Sequence, residues 1–153
     1  MTILIERPWV FYIIENNGAT YMGISPDPVH RLRAHNSEIM GGAKYTKSKG
    51  SGWKHVLIVH GFKDKIHTMQ FEWACKHFGS KGAGGVVNRV IKMIGVMNKE
   101  RCTTKACESS VYPLEITLHG VNYELDKKIM IALQELPFYV SIKNINKGDD
   151  IKD

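Results

Sequence analysis

The chain has 153 residues, enough for one domain or for a compact domain with an appendage. A hydrophobic fraction of 43% can supply a core, yet no apolar run approaches the roughly 20 residues that a membrane span needs. Lys+Arg 21 against Asp+Glu 15 leaves a net charge of +6 and a pI near 9.2, with the surplus spread unevenly along the chain.

The N-terminal Met1-Thr2-Ile3-Leu4-Ile5 is apolar but is cut short by Glu6-Arg7-Pro8, so it cannot be a signal-peptide core. Val10 to Ile14 are β-branched or aromatic and predict a strand that ends at Asn16-Asn17-Gly18. Asn-Gly marks a hairpin, because both residues tolerate φ > 0, and Thr20 to Ser25 supply the returning strand. Tyr12 and Tyr21 sit on these paired strands. Which faces they share depends on a register that counting does not give. Pro26-Asp27-Pro28 then opens a helix, with Asp27 as N-cap and Pro28 at the first helical position. Arg31 and His35 are four residues apart on it and share a face.

Ser37 to Ser51 is rich in glycine and lysine and reads as a loop. From Val29 to Lys54 the basic residues Arg31, Arg33, Lys44, Lys47, Lys49 and Lys54 face only Glu38, a local field suited to a phosphate backbone or to an ordinary solvated loop. Trp53 to His60 predicts a third strand, and Asp64 caps a helix over Lys65 to Phe78. Ile66, Met69, Gln70, Trp73 and His77 follow helical spacing there, and Phe71 and Ala74 widen the apolar face expected to be buried. By periodicity alone Glu72 points outward.

Ser80 to Gly85 is the clearest boundary. Beyond it the pattern predicts a helix over Val86 to Met97, a polar stretch from Asn98 to Val111, a strand at Leu114 to Leu118, a helix over Leu125 to Glu135 and a short strand ending at Ile142. Asn146 to Asp153 is a charged tail. Cys75, Cys102 and Cys107 are too few, and odd in number, for a disulfide framework, which favours a reducing, intracellular setting. Cys102 and Cys107 lack the second pair that a zinc site needs.

Taken in order, Phe11-Tyr12, Tyr21-Met22-Gly23, Arg31 and His35-Asn36 resemble the pattern of the GIY-YIG endonucleases. Val10-Phe11-Tyr12 stands for Gly-Ile-Tyr, and Tyr-Met-Gly for Tyr-Ile-Gly. The segments Gly41 to Lys47, Gly52-Trp53, Val59-His60-Gly61-Phe62 and Gln70-Phe71-Glu72-Trp73-Ala74 are similar to the Slx type within that family. The resemblance implies an α+β fold. Residues 1–79 would form a nuclease domain with a three-stranded, mostly antiparallel sheet flanked by helices. Residues 80–153 would be a mostly helical extension packed on it, with short strands and a flexible tail. The cysteine- and histidine-rich zinc domain of eukaryotic relatives is not expected in this chain.

The resemblance further implies hydrolysis of phosphodiester bonds near flaps, forks and four-way junctions, in DNA repair or recombination. It places the work in the nucleus or at a site of viral DNA replication. Glu72 falls on the family's single catalytic carboxylate and would hold Mg²⁺ or Mn²⁺, since such ions keep waters and need few protein ligands. Arg31 would stabilise phosphate oxygens. Tyr12, and after it Tyr21, would activate water, a task for which a tyrosine of pKa about 10 needs a nearby cation such as Arg31 or Lys44. His35 would hold a tyrosine hydroxyl or move a proton. Arg33, Asn36, Lys44, Lys47 and Lys49 would touch DNA, although Asn36 also reads as a helix C-cap. Branched DNA is the expected partner, together with a scaffold subunit or a second copy of the chain. Two other readings stay open: a branched-DNA-binding module without catalysis, and a nuclease that reads a sequence.

Overall fold

β1 (Val10–Asn16) and β2 (Ala19–Ser25) form the expected hairpin, with Asn17 at φ 49° and Gly18 at φ 88° in its turn. Both residues of a two-residue hairpin turn can take positive φ when its twist matches that of the strands, which is why Asn-Gly occupies it. The computed structural model describes residues 8–79, 84–103, 106, 113–119 and 127–144. After the hairpin come α1 (Pro28–His35), α2 (Lys44–Ser48), β3 (Lys54–His60), α3 (Lys65–His77), α4 (Val86–Met97), β4 (Leu114–Leu118), α5 (Lys127–Leu133) and β5 (Val140–Asn144).

The sheet has five strands, in the order β2-β1-β3-β4-β5, and not the three expected. β4 pairs antiparallel with β3, and β5 parallel with β4, so the strands of the C-terminal part extend the same sheet. Sequence pattern finds Leu114 to Leu118 as a strand but carries no sign of the neighbour it pairs with. A second correction concerns 37–51, which contains a short helix, α2. Its first turn is held by Thr46, whose hydroxyl donates to the Ala43 carbonyl at 2.9 Å. The expectations for residues 1–7, for Cys107 and for the charged tail lie outside the described residues.

β1 lies inside the sheet and is buried on both faces, as an unbroken apolar run predicts. Phe11 and Ile13 face the main core, built with Leu57, Phe71, Val90 and Met93. Val10, Tyr12 and Ile14 face a second cluster with Trp53 and Ile58. Pairing with β3 slips between Ile13 and Ile14: Ile13 opposes Leu57, whereas Ile14 opposes His55. The extra residue, Val56, is a β-bulge, a device that re-aims the side chains beyond it. Here it brings His55 onto the face of Tyr12, with ring centroids 6.3 Å apart.

Both helix caps follow the sequence. Asp27 accepts from the His30 amide at 3.1 Å and Asp64 from the His67 amide at 2.9 Å. α3 is rotated from the expected face. Thr68, Phe71, Ala74 and Cys75 are buried, while Ile66, Met69 and Trp73 are exposed. Thr68 can line the core because its hydroxyl donates to the Asp64 carbonyl at 2.7 Å.

Candidate active site

The β1–β2 register settles the placement of the tyrosines. Tyr12 opposes Gly23 and Ile14 opposes Tyr21, so Tyr12 and Tyr21 lie on one face of the sheet. The Tyr12 ring lies over Gly23: a Cβ there would stand 2.6 Å from the phenol Cζ. The glycine of the second triplet thus makes room for the tyrosine of the first.

The Tyr12 hydroxyl meets His35 Nε2 at 2.7 Å, and His35 Nδ1 meets Thr46 Oγ1 at 2.8 Å. The single Thr46 proton goes to the Ala43 carbonyl, so the threonine oxygen accepts from Nδ1–H. That assigns the tautomer: Nε2 carries a lone pair and accepts the proton of the phenol. His35 and Thr46 are fully buried, so His35 is not a helix-surface histidine. The Trp53 indole N–H donates to the Thr46 carbonyl at 3.0 Å and fixes the threonine in turn.

Burial dominates the electrostatics. It pushes the Tyr12 phenol well above the usual tyrosine value, although Arg31 donates to it and pulls the other way. The expected effect of the cation is present, since Arg31 lowers the value, but burial outweighs it and the expected phenolate character does not develop: Tyr12 is a neutral phenol at neutral pH. Burial, followed by the charge of Arg31, lowers His35 to about 4. The pair rests as phenol and neutral imidazole, with a lone pair ready to take a proton.

Arg31 and Glu72 join them. The Arg31 guanidinium donates to the Gly41 carbonyl, which anchors it at the edge of the site. The Glu72 carboxylate, on α3, is among the charges that raise the Tyr12 pKa, which places it within electrostatic reach of the phenol. Its side chain is 24% exposed, and Lys76 Nζ lies 3.4 Å from Oε1. Lys76 Nζ also sits 5.7 Å from the centroid of the Tyr21 ring, and that ring lies 5.0 Å from His35. Tyr12, Tyr21, Arg31, His35 and Glu72 are thus brought together, although α3 packs on the core side of the sheet and the tyrosines face the other. β2, between them, is the edge strand.

The expected DNA contacts divide. Lys44, Lys47 and Lys49 are exposed on and after α2, with Lys49 Nζ 5.7 Å from the Tyr45 ring centroid. Arg33 is two residues on from Arg31 and so lies on the opposite side of α1, where it reaches Glu38 at 3.4 Å. Asn36 turns inward: its Oδ1 accepts from the Gly52 and Trp53 amides at 2.9 and 2.7 Å, and its Nδ2 donates to the Trp53 carbonyl at 2.9 Å. Arg33 thus stays exposed beside Glu38, and Asn36 is taken up by the backbone of Gly52 and Trp53. Sequence reasoning passed over Thr46, whose signal, a hydroxyl three residues after Ala43, is common to many turns. It also passed over His55 and His119, whose rings lie 5.4 Å apart.

Among the described residues no cluster of three His, Cys, Asp or Glu could enclose a metal. A single partly exposed carboxylate beside a phenol and a guanidinium does fit a hard divalent cation that keeps most of its waters and takes oxygens from a phosphate.

Residues 8–82 match the model of the GIY-YIG catalytic domain. The chain is 37% identical over 93 residues to the structure-specific endonuclease subunit slx1 of Schizosaccharomyces pombe, covering 61% of this chain and 31% of the relative. It is 51% identical over 59 residues to the protein of the same name from Schizosaccharomyces japonicus, 39% of this chain and 21% of the relative. Against the structure-specific endonuclease subunit SLX1 homolog of Monosiga brevicollis the identity is 51% over 61 residues, 39% of this chain and 14% of the relative. The matched part thus spans less than a third of each of these relatives. No helix among the described residues is long and apolar enough to cross a membrane.

Proposed function

We propose that this chain, which belongs to the GIY-YIG family through its residues 8–82, is a structure-selective DNA endonuclease that hydrolyses phosphodiester bonds near branches. The observation that carries the reading is the bonded series Tyr12–His35–Thr46 with Arg31 and Glu72 beside it. A water attacks the phosphorus and its proton passes to the Tyr12 oxygen. The proton already on that phenol passes to His35 Nε2. The P–O bond to the leaving oxygen breaks, and that oxygen takes a proton from solvent. Tyr12 therefore relays a proton and ends neutral, which suits a phenol whose anion is disfavoured by burial. Bound phosphate offsets the charge of Arg31, one cause of the low His35 pKa, and so makes the imidazole a better base while substrate is present.

Arg31 donates to the phosphate oxygens as charge builds on them. A divalent cation on Glu72, Mg²⁺ or Mn²⁺, would supply Lewis acidity at the phosphate. Lys44, Lys47 and Lys49 hold the DNA backbone without reading sequence. The relatives are named as subunits, which favours a partner protein, or a second copy, beside the branched DNA.

The test is a panel of flaps, forks, four-way junctions and linear duplex incubated with Mg²⁺ or Mn²⁺. Branched substrates are cut in preference. Glu72→Gln and Arg31→Ala each lower cleavage by about 100-fold or more and leave binding within a few-fold. Cutting at the parental rate by both variants rejects the assignment. Binding of branched DNA without any cleavage would favour a non-catalytic module.

A further inference from the structure

Ile66, Met69 and Trp73 lie on the solvent side of α3 and are 64%, 50% and 56% exposed. Their spacing is that of a buried helix face, yet the core is packed by the opposite side of the helix. The Trp73 indole is not loose. The His77 ring stacks on it with centroids 4.2 Å apart and planes 15° apart, and His77 Nδ1–H donates to the Trp73 carbonyl at 2.8 Å. An exposed apolar stripe of this kind marks a binding surface.

We propose that the Trp73–His77 stack, with Met69 beside it, is a platform on which an unpaired base of the branched substrate stacks. The proposal rests on the nuclease reading of the site and specifies how that site tells a branch from a plain duplex. Three observations favour a nucleic acid over a protein as occupant. Trp73 follows Glu72 directly, so its ring leaves the same helical turn as the carboxylate that acts on the Tyr12 phenol electrostatically, about 100° around the axis. Lys63, Lys65 and Lys76 are exposed around the stripe, and Glu72 is the only acidic residue within α3, so the surround suits a polyanion. The rings are already stacked and held, so they meet a base at little further cost in ordering. Every base has a π-face, so such a contact selects for an unstacked nucleotide and not for a sequence. A flap or a fork offers such nucleotides and a continuous duplex does not.

The test uses the full chain in a Glu72→Gln background, where cleavage does not intrude. The probes are a flap with 2-aminopurine at the branch, oligo-dT and a linear duplex. The platform predicts that Trp73→Ala weakens binding of the flap and of oligo-dT by roughly tenfold, leaves the duplex within twofold and abolishes the 2-aminopurine fluorescence change. Trp73→Phe restores most of the affinity. In the chain with Glu72 intact, Trp73→Ala lowers the ratio of flap to duplex cleavage. Unchanged flap affinity in Trp73→Ala overturns the platform. So does a dimer, seen by sedimentation, that Trp73→Ala dissociates without altering DNA affinity, for then a second copy covers the stripe. A parent chain that binds oligo-dT through Trp73 but cuts nothing would sink the nuclease reading and leave the platform standing.

Discussion

A threonine hydroxyl decides which proton can move in this site. Because Thr46 gives its hydrogen to Ala43, it can only accept from His35, and His35 can then only accept from Tyr12. Thr46→Val keeps the shape but removes the acceptor, and the imidazole is free to turn or to change tautomer. The expected result is a kcat lower by about tenfold or more with KM little changed, recovered by Thr46→Ser. A structural role alone would instead lower the melting temperature and leave Thr46→Ser no better than Thr46→Val. At this scale the sequence was informative where a side chain's chemistry is rare. Tyr12, Tyr21, Arg31, His35 and Glu72 carry such chemistry in a recognisable order. Thr46 does not, since its importance lies in what it touches. Nor did the sequence show that burial would outweigh Arg31 in setting the Tyr12 pKa.

Helices and strands were legible where local chemistry governs them. The hairpin turn, both aspartate caps and α4 follow directly from residue types. What periodicity could not supply was the direction of a face. The stripe of Ile66, Met69 and Trp73 carries the spacing of a core helix, yet it is Thr68, Phe71, Ala74 and Cys75 that pack inward. A surface built to bind and a surface built to pack are written in the same residues. The seam between α1 and β3 is a comparable case. Asn36 ties the end of α1, directly after His35, to Gly52 and Trp53 through three hydrogen bonds. Asn36→Ala strands those backbone groups. The expected loss is roughly 1–3 kcal/mol in urea denaturation, along with weaker cleavage, because the helix end that holds His35 is no longer fixed. Unchanged stability would show that the seam holds without it.

At the scale of the molecule, buried and half-buried neutral histidines couple folding to acidity. His35 and His55 are both lowered to about 4, the first by burial and then by Arg31, the second by burial and then by His119. His60 and His119 are lowered too, burial being the main cause in each. Once unfolded, these rings titrate near 6.5. Between those values the unfolded chain binds more protons than the folded one, so stability rises with pH. For His35 and His55 it is present above about 6.5 and drains away as the pH falls toward 4, at about 1.4 kcal/mol per pH unit for each of the two. Urea melts between pH 7.5 and 4.5 should show this decline, with a shallower slope in His55→Asn; a flat profile would contradict the burial of these rings. Such coupling could not be read from composition, because it depends on the β-bulge at Val56 and on a fourth strand that sequence pattern left unpaired.

The interior place of β1 has one more consequence. This strand carries Tyr12 and is laced to a neighbour along each side, whereas Arg31 and the lysine-bearing α2 stand outside the ladder. On the proposed function, a forked DNA would be admitted by the outer pieces giving way while the phenol stays rooted. The amides around Tyr12, paired on both sides, are expected to exchange last, whereas His35 on α1 and Thr46 on α2 ride on the outer pieces, so the relay is complete only once those pieces close back on the phenol.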